Sequence, residues 1–234
     1  IFITSGNFAW NIQDGKPVPQ PGQYLAGVTV AEFRRLDLAL TPHGFLRAAM
    51  AATNPTAISL TLGSPTGAVT PNGKQTLVSF TLMGKYRVVG TFDDQNLLAL
   101  VHTWVPNPVY GDMLYELRYL NYKDFGGVKY PTVLHIHQGD PRLMTAHNSM
   151  EITLNNVQPN VTVAALPVPS EVQSATAPPV RAESQKLADG VYYLTGGTHH
   201  SLAIEMADHI VVVDTPNNQA RGEAVLAKAK ELIP

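Results

Sequence analysis

The chain has no cysteine. That single absence removes disulfide frameworks, thiolate zinc sites, iron–sulfur clusters and cysteine nucleophiles together. Any metal chemistry must then rest on histidine and carboxylates. Charge is scarce as well: Asp, Glu, Lys and Arg make up 15 % of the residues and sum to a net charge of −2, where an average domain carries about 25 % charged residues. Without a basic excess nothing neutralises phosphates, which excludes nucleic acid as a partner. No apolar run approaches the roughly 18 residues that a membrane-spanning helix needs, so no transmembrane segment is expected. There is no G-x-S-x-G, S-x-x-K, H-E-x-x-H or G-x-G-x-x-G motif, which removes the commonest local signatures of serine hydrolases, zinc peptidases and dinucleotide binding.

What is present suits a β-rich protein. The 234 residues are 44 % hydrophobic, enough for a real core, and include 18 glycines and 18 prolines, the composition of short strands joined by tight turns. At about 150 residues per domain the length corresponds to roughly one and a half domains. The chain opens on Ile1 rather than Met, as a processed protein or a fragment does.

Residues 1–28, rich in Gly, Pro and Asn, read as an extended arm pinned by Trp10. Phe33, Leu36 and Leu40 then fall at helical spacing, and Thr41-Pro42 offers an N-cap with proline at the first helical position of a second segment. From about 57 to 157 the period changes to two, broken by turns such as Gly84-Lys85, Asp93–Asn96 and Gly126-Gly127. This predicts an antiparallel meander with the helical segment on its concave face. Residues 1–158 are therefore expected to form one antiparallel β domain with helix, and 159–186, carrying Pro159, Pro167, Pro169, Pro178 and Pro179, a semi-extended linker. Residues 187–234 begin a further domain. Ile210–Val213 reads as a strand buried on both faces, and Val225, Ala229, Leu232 and Ile233 as the apolar side of a helix whose solvated side carries Arg221, Glu223, Lys228 and Lys230. A buried strand followed by such a helix is two thirds of a βαβ unit, and the piece looks cut off before it is complete. The expected class is α+β.

Candidate chemistry is sparse. His135 and His137 share one strand face and could bind zinc with His147 as third ligand, although a solvated polar face explains them better. His199 and His200, if on a strand, would point to opposite faces, beside a Gly196-Gly197-Thr198 hairpin tip that could be a functional loop or a plain turn. Asp214 ends the apolar strand, where it serves either a site at the strand's carboxyl edge or the N-cap of the following helix. The turn aspartates Asp93, Asp94, Asp112 and Asp124 need no explanation beyond turn chemistry.

Three phrases, Asp189–Leu194, Gly196–Ser201 and Asp208–Asp214, followed by the helix ending at Pro234, resemble the opening of a metallo-β-lactamase-fold hydrolase. Upstream, Thr41–Leu46, Thr103–Pro108 and Asp124–Thr132 resemble a lipoprotein-carrier-like β domain that precedes some bacterial members. The resemblance implies an αββα fold begun after the linker and one or two zinc ions. Their ligands would come largely from an H-x-H-x-D-H motif expected beyond residue 234. It implies that Thr198, His199 and His200 rim the substrate pocket and that Asp214 orients groups around the metal. Relatives often carry Asn where this chain has His200, which leaves a substrate contact there open.

The resulting expectation is the N-terminal portion of a zinc-dependent hydrolase of an ester, lactone, lactam or related bond, inactive without the remainder. The setting would be periplasmic or secreted, with the cytoplasm left open. Its partners would be a small-molecule substrate and either a second copy or a complementary chain carrying the rest of the domain. The alternative is a periplasmic carrier holding an apolar ligand in the curved β domain.

Overall fold

Turns decide the first nineteen residues. Gly6 and the Asp14-Gly15 pair adopt positive φ and reverse the chain twice, so β1 (Phe2–Ser5), β2 (Phe8–Gln13) and β3 (Lys16–Pro19) form a three-stranded antiparallel sheet. Asp-Gly is a strong hairpin signal, and this corrects the expected extended arm. Trp10 is the anchor, at 2 % exposure. The computed structural model describes residues 1–25, 27–61, 73–107, 110–139, 147–162, 166–197, 199–214 and 218–234.

A short hairpin, β4 (Gln23–Leu25) with β5 (Val28–Thr29), leads into α1 (Val30–Leu40). Thr29 caps that helix, its hydroxyl accepting from the Glu32 amide at 3.1 Å. Arg34 holds the N-terminal sheet to α1 by donating to the carbonyls of Ile3 at 2.7 Å and Trp10 at 2.9 Å and to Asn11 Oδ1 at 2.6 Å. Pro42 opens α2 (Pro42–Ala51) as expected. Thr41 does not cap it, because its hydroxyl turns back to the Leu38 carbonyl at 2.7 Å. The corner between the helices is tight: a Cβ on Gly44 would lie 2.2 Å from the Leu38 oxygen.

The period-two region is the predicted meander. β6 (Thr56–Thr61), β7 (Lys74–Leu82), β8 (Tyr86–Phe92), β9 (Leu98–Asn107), β10 (Gly111–Phe125), β11 (Val128–Gln138) and β12 (His147–Thr153) pair antiparallel in chain order. Alternate residues face the helices. Phe80, Val88, Phe92, Val101, Val105, Tyr115 and Leu117 meet Phe33, Leu36, Leu40 and Phe45 in one core. Phe45 seats directly on Gly90, where a Cβ would fall 2.3 Å from its ring, so α2 packs closely on the sheet. Phenols tie α1 down: Tyr86 donates to Glu32 Oε1 at 2.7 Å, Tyr115 to Asp37 Oδ1 at 2.8 Å, and Tyr119 to the Leu40 carbonyl.

Within the proline-rich stretch, the single turn α3 (Ser170–Gln173) packs Val172 against β2 and β3. The strand β13 (Glu183–Ala188) begins inside residues expected as linker. All six of its residues are exposed, so no apolar alternation announces it. With β14 (Val191–Thr195), β15 (Ser201–Glu205) and β16 (Ile210–Val213) it makes a four-stranded antiparallel sheet in chain order, covered on one face by α4 (Gln219–Leu232). Leu194, Ala203, Val225, Ala229 and Ile233 form this second core. β16 is antiparallel to β15 and lies at the sheet edge. Ile210 and Val212 pack toward α4, while Val213 is 48 % exposed. The expected two-sided burial is thus corrected to one-sided burial, because α4 is the layer that covers β16 among the described residues. The molecule is mostly β with four helices among the described residues, an α+β arrangement.

Candidate functional site

Strand register gathers the sequence-nominated residues of the second sheet at one end. β14 runs to Thr195, Gly196 turns with φ of 103°, and β15 starts at Ser201. Leu202 pairs with Val213, so Asp214 emerges next to Ser201, at the same end as that hairpin. Asp214 itself is a non-glycine residue at φ of 65°, a conformation that costs energy and that folds keep where something holds it. His199 and His200 lie in the loop ahead of β15 rather than on a strand, both exposed. The His200 ring approaches Tyr193, with centroids 5.1 Å apart. Thr198 lies outside the described residues.

α4 begins at this same end. Asn218, not Asp214, is its N-cap: the Asn218 Oδ1 accepts from the Arg221 amide at 3.0 Å. Asp214 is therefore not the cap of α4. Arg221, expected on the solvated side, is 4 % exposed. It donates through Nη2 to the Thr195 carbonyl at 3.0 Å and through Nη1 to the Arg181 carbonyl, clasping the ends of β14 and β13. Gly197 lies against the guanidinium, where a Cβ would be 3.2 Å from Nε. Arg221 Nε and Ser201 Oγ are buried without hydrogen-bond partners among the described residues. Sequence periodicity missed Arg221 because its partners are carbonyls distant in sequence. Only the Asn-Asn step before the helix hinted that a cap stood there.

His135 and His137 turn to different carboxylates. His135 Nε2 turns to Glu151 at 2.9 Å, while His137 Nδ1 turns to Glu116 at 3.1 Å. Glu116 also receives His102 Nε2 at 2.6 Å and Arg118 Nε at 2.6 Å. The row is set by register, since Glu116 stands opposite His102 on β9 and His137 on β11. Burial would raise the Glu116 carboxyl, but hydrogen bonds and charge from His102 and Arg118 outweigh it and hold the group at about 2. The Arg118 guanidinium stands against the carboxylate oxygen that a cation would need. The side chain of His147 lies outside the description.

No group of three His, Asp or Glu side chains among the described residues is placed to hold a metal ion. At the second sheet, exposed histidines and one carboxylate at the strand end offer donors but no closed set. No helix is long and apolar enough to cross a membrane among the described residues. Comparison of the chain with protein-family models, with curated proteins and with solved structures finds no match.

Proposed function

We propose that the second unit is the opening of a metallo-β-lactamase-fold hydrolase that acts on an ester, lactone, lactam or related bond of a small molecule outside the cytoplasm. Its zinc ligands are then supplied by residues other than these. The observation that carries the reading is the one-sided cover of the β13–β16 sheet. On the face away from α4, Val191, Tyr193, Leu202, Ile204 and Val211 are half-buried and Val213 is exposed. A sheet apolar on both faces calls for a second layer, and in an αββα fold that layer is another sheet.

Two further features support it. The hairpin, the left-handed Asp214 and the start of α4 share one end of the sheet, as a site built from loops at strand ends requires. Phe45 packs directly on Gly90 of the first sheet, and the core shared by the helices and that sheet favours a structural or pocket-shaping role for that domain over an open carrier. Zinc, held by residues other than these, would supply such a hydrolase with a bound water of lowered pKa and a Lewis acid for the substrate oxygen. Here Arg221 would fix the hairpin rim through the Thr195 and Arg181 carbonyls, and Asp214 would orient neighbouring groups.

The test is hydrolysis of an ester, lactone and lactam panel by the product of the complete reading frame, before and after chelation. Turnover lost to chelator and restored by zinc is the expected result. Turnover indifferent to chelation, or none on any of the three bond types, counts against the reading.

A further inference from the structure

Three edge strands of the described sheets run to six residues or more: β6, β12 and β13. A free edge presents unpaired amides and carbonyls that template another strand, and folds blunt it with charge, proline or a bulge. β12 carries Glu151 and a register shift against Ile136 and His137. β13 carries Glu183, Lys186 and a shift beside Lys186. β6 has none of these devices. Its residues, Thr-Ala-Ile-Ser-Leu-Thr, are uncharged, include no proline and pair with β7 without a break. No charged residue occurs in the chain between Arg47 and Lys74.

Thr56 to Leu60 are exposed, Ile58 at 59 % and Leu60 at 39 %. Register puts these two on the face away from the helices: Ile58 stands opposite Leu77 and Leu60 opposite Gln75, whereas Val78 and Phe80 belong to the core. The row continues inward from Ile58 through half-buried Leu77, Thr91 and Leu100. On the helix side the exposed positions are Ala57 and Ser59, both small, so a neighbouring strand meets no bulk there.

We propose that β6 is a dimerisation edge, on which the same strand of a second copy pairs antiparallel about a twofold axis at Ser59. In that register Ile58 of each copy faces Leu60 of the other on one face of the joined sheet, an apolar cross-strand pair formed twice. An uncharged strand has nothing to repel its own copy and nothing to select a charged partner. The pairing uses up the edge of both copies, so it closes at two. The nearest charge, Lys74, stands opposite Thr61, and the twofold carries the two lysines to opposite ends of the seam. An edge about 20 Å long offers less area than the roughly 800 Å² per partner of a standard interface, so the dimer is a weak, concentration-dependent one. It lies in the first unit and is independent of the hydrolase reading.

The test is sedimentation velocity of the whole chain from about 1 to about 500 μM, with amide exchange read at both ends of that range. The inference expects monomer passing to dimer, with exchange slowing at alternate amides of β6 only where the dimer forms. Leu60→Lys, at an exposed position, should weaken association by about tenfold or more at an unchanged melting temperature. Met150→Lys, on the opposite edge strand β12, should leave association as it was. The exchange comparison on the unaltered chain decides the matter should Leu60→Lys fold poorly. A chain monomeric over the whole range, β6 amides already protected in the monomer, or assembly that grows past the dimer overturns the proposal. So does a dimer that a folded Leu60→Lys protein forms equally well.

Discussion

Tyr115 on β10 donates its phenol hydrogen to Asp37 Oδ1 on α1 at 2.8 Å, across the seam where the helix meets the sheet. Burial raises the Asp37 carboxyl from 3.8 to about 6, against the pull of that hydrogen bond. The folded state therefore holds this proton more tightly than the unfolded chain does. The contribution is fully present below pH 3.8 and is lost as pH rises toward about 6. Asp37→Asn keeps an acceptor for Tyr115 and removes the ionisation. Urea unfolding across this window should show the variant losing the wild-type decline and gaining up to about 3 kcal/mol over wild type at neutral pH. Parallel pH profiles for the two proteins would refute the assignment.

Glu116 carries the opposite sign. Its carboxyl sits at about 2 instead of 4.5, so its ion-pair contribution is present above pH 4.5 and drains away as pH falls toward about 2. Arg118 is half-exposed and His102 about one-third exposed, so solvent screening trims the energy. Glu116→Gln should cost about 1 kcal/mol at pH 7. The difference from wild type should shrink as acid titrates the carboxylate. A gap that stays constant down to pH 3 would show that Glu116 acts by shape alone.

The helical plug depends on Gly90. A methyl group there would press on the Phe45 ring from 2.3 Å, an overpacking that costs about 1–3 kcal/mol. Phe45→Leu by itself opens a gap in the core, yet in the double variant the two changes should compensate by about 1 kcal/mol in a double-mutant cycle. Strict additivity would mean that the helix does not press on the sheet at this point.

Arg221 is the clasp of the second unit. Arg221→Met removes the donors to the Thr195 and Arg181 carbonyls and should destabilise the unit by about 2 kcal/mol. Amide exchange should rise at Gly196 and Gly197 more than at Val88 or Val101 in the first core. Uniform exchange throughout would contradict a local clasp.

Much of this architecture is legible from residues alone, for definable reasons. The meander follows from period-two alternation punctuated by Gly and Asp turns, and the α1–α2 break from Thr41-Pro42. The first sheet hides because Pro17 and Pro19 disguise β3 as coil, although both sit on an edge strand where a missing amide is harmless. β13 hides because no face of it is buried. At the candidate site, the gathering of Asp214 with the hairpin needs the β15–β16 register, which local pattern does not contain. Arg221 and Glu116 look like solvated charges in sequence, and only partners on other strands bury them.

The central proposal, that the second unit belongs to a zinc hydrolase, is tested most directly by the zinc content of the protein made from its complete reading frame. The account predicts one or two zinc ions per chain and loss of activity when they are removed. A product that binds no zinc, alone or with a partner chain, would contradict it.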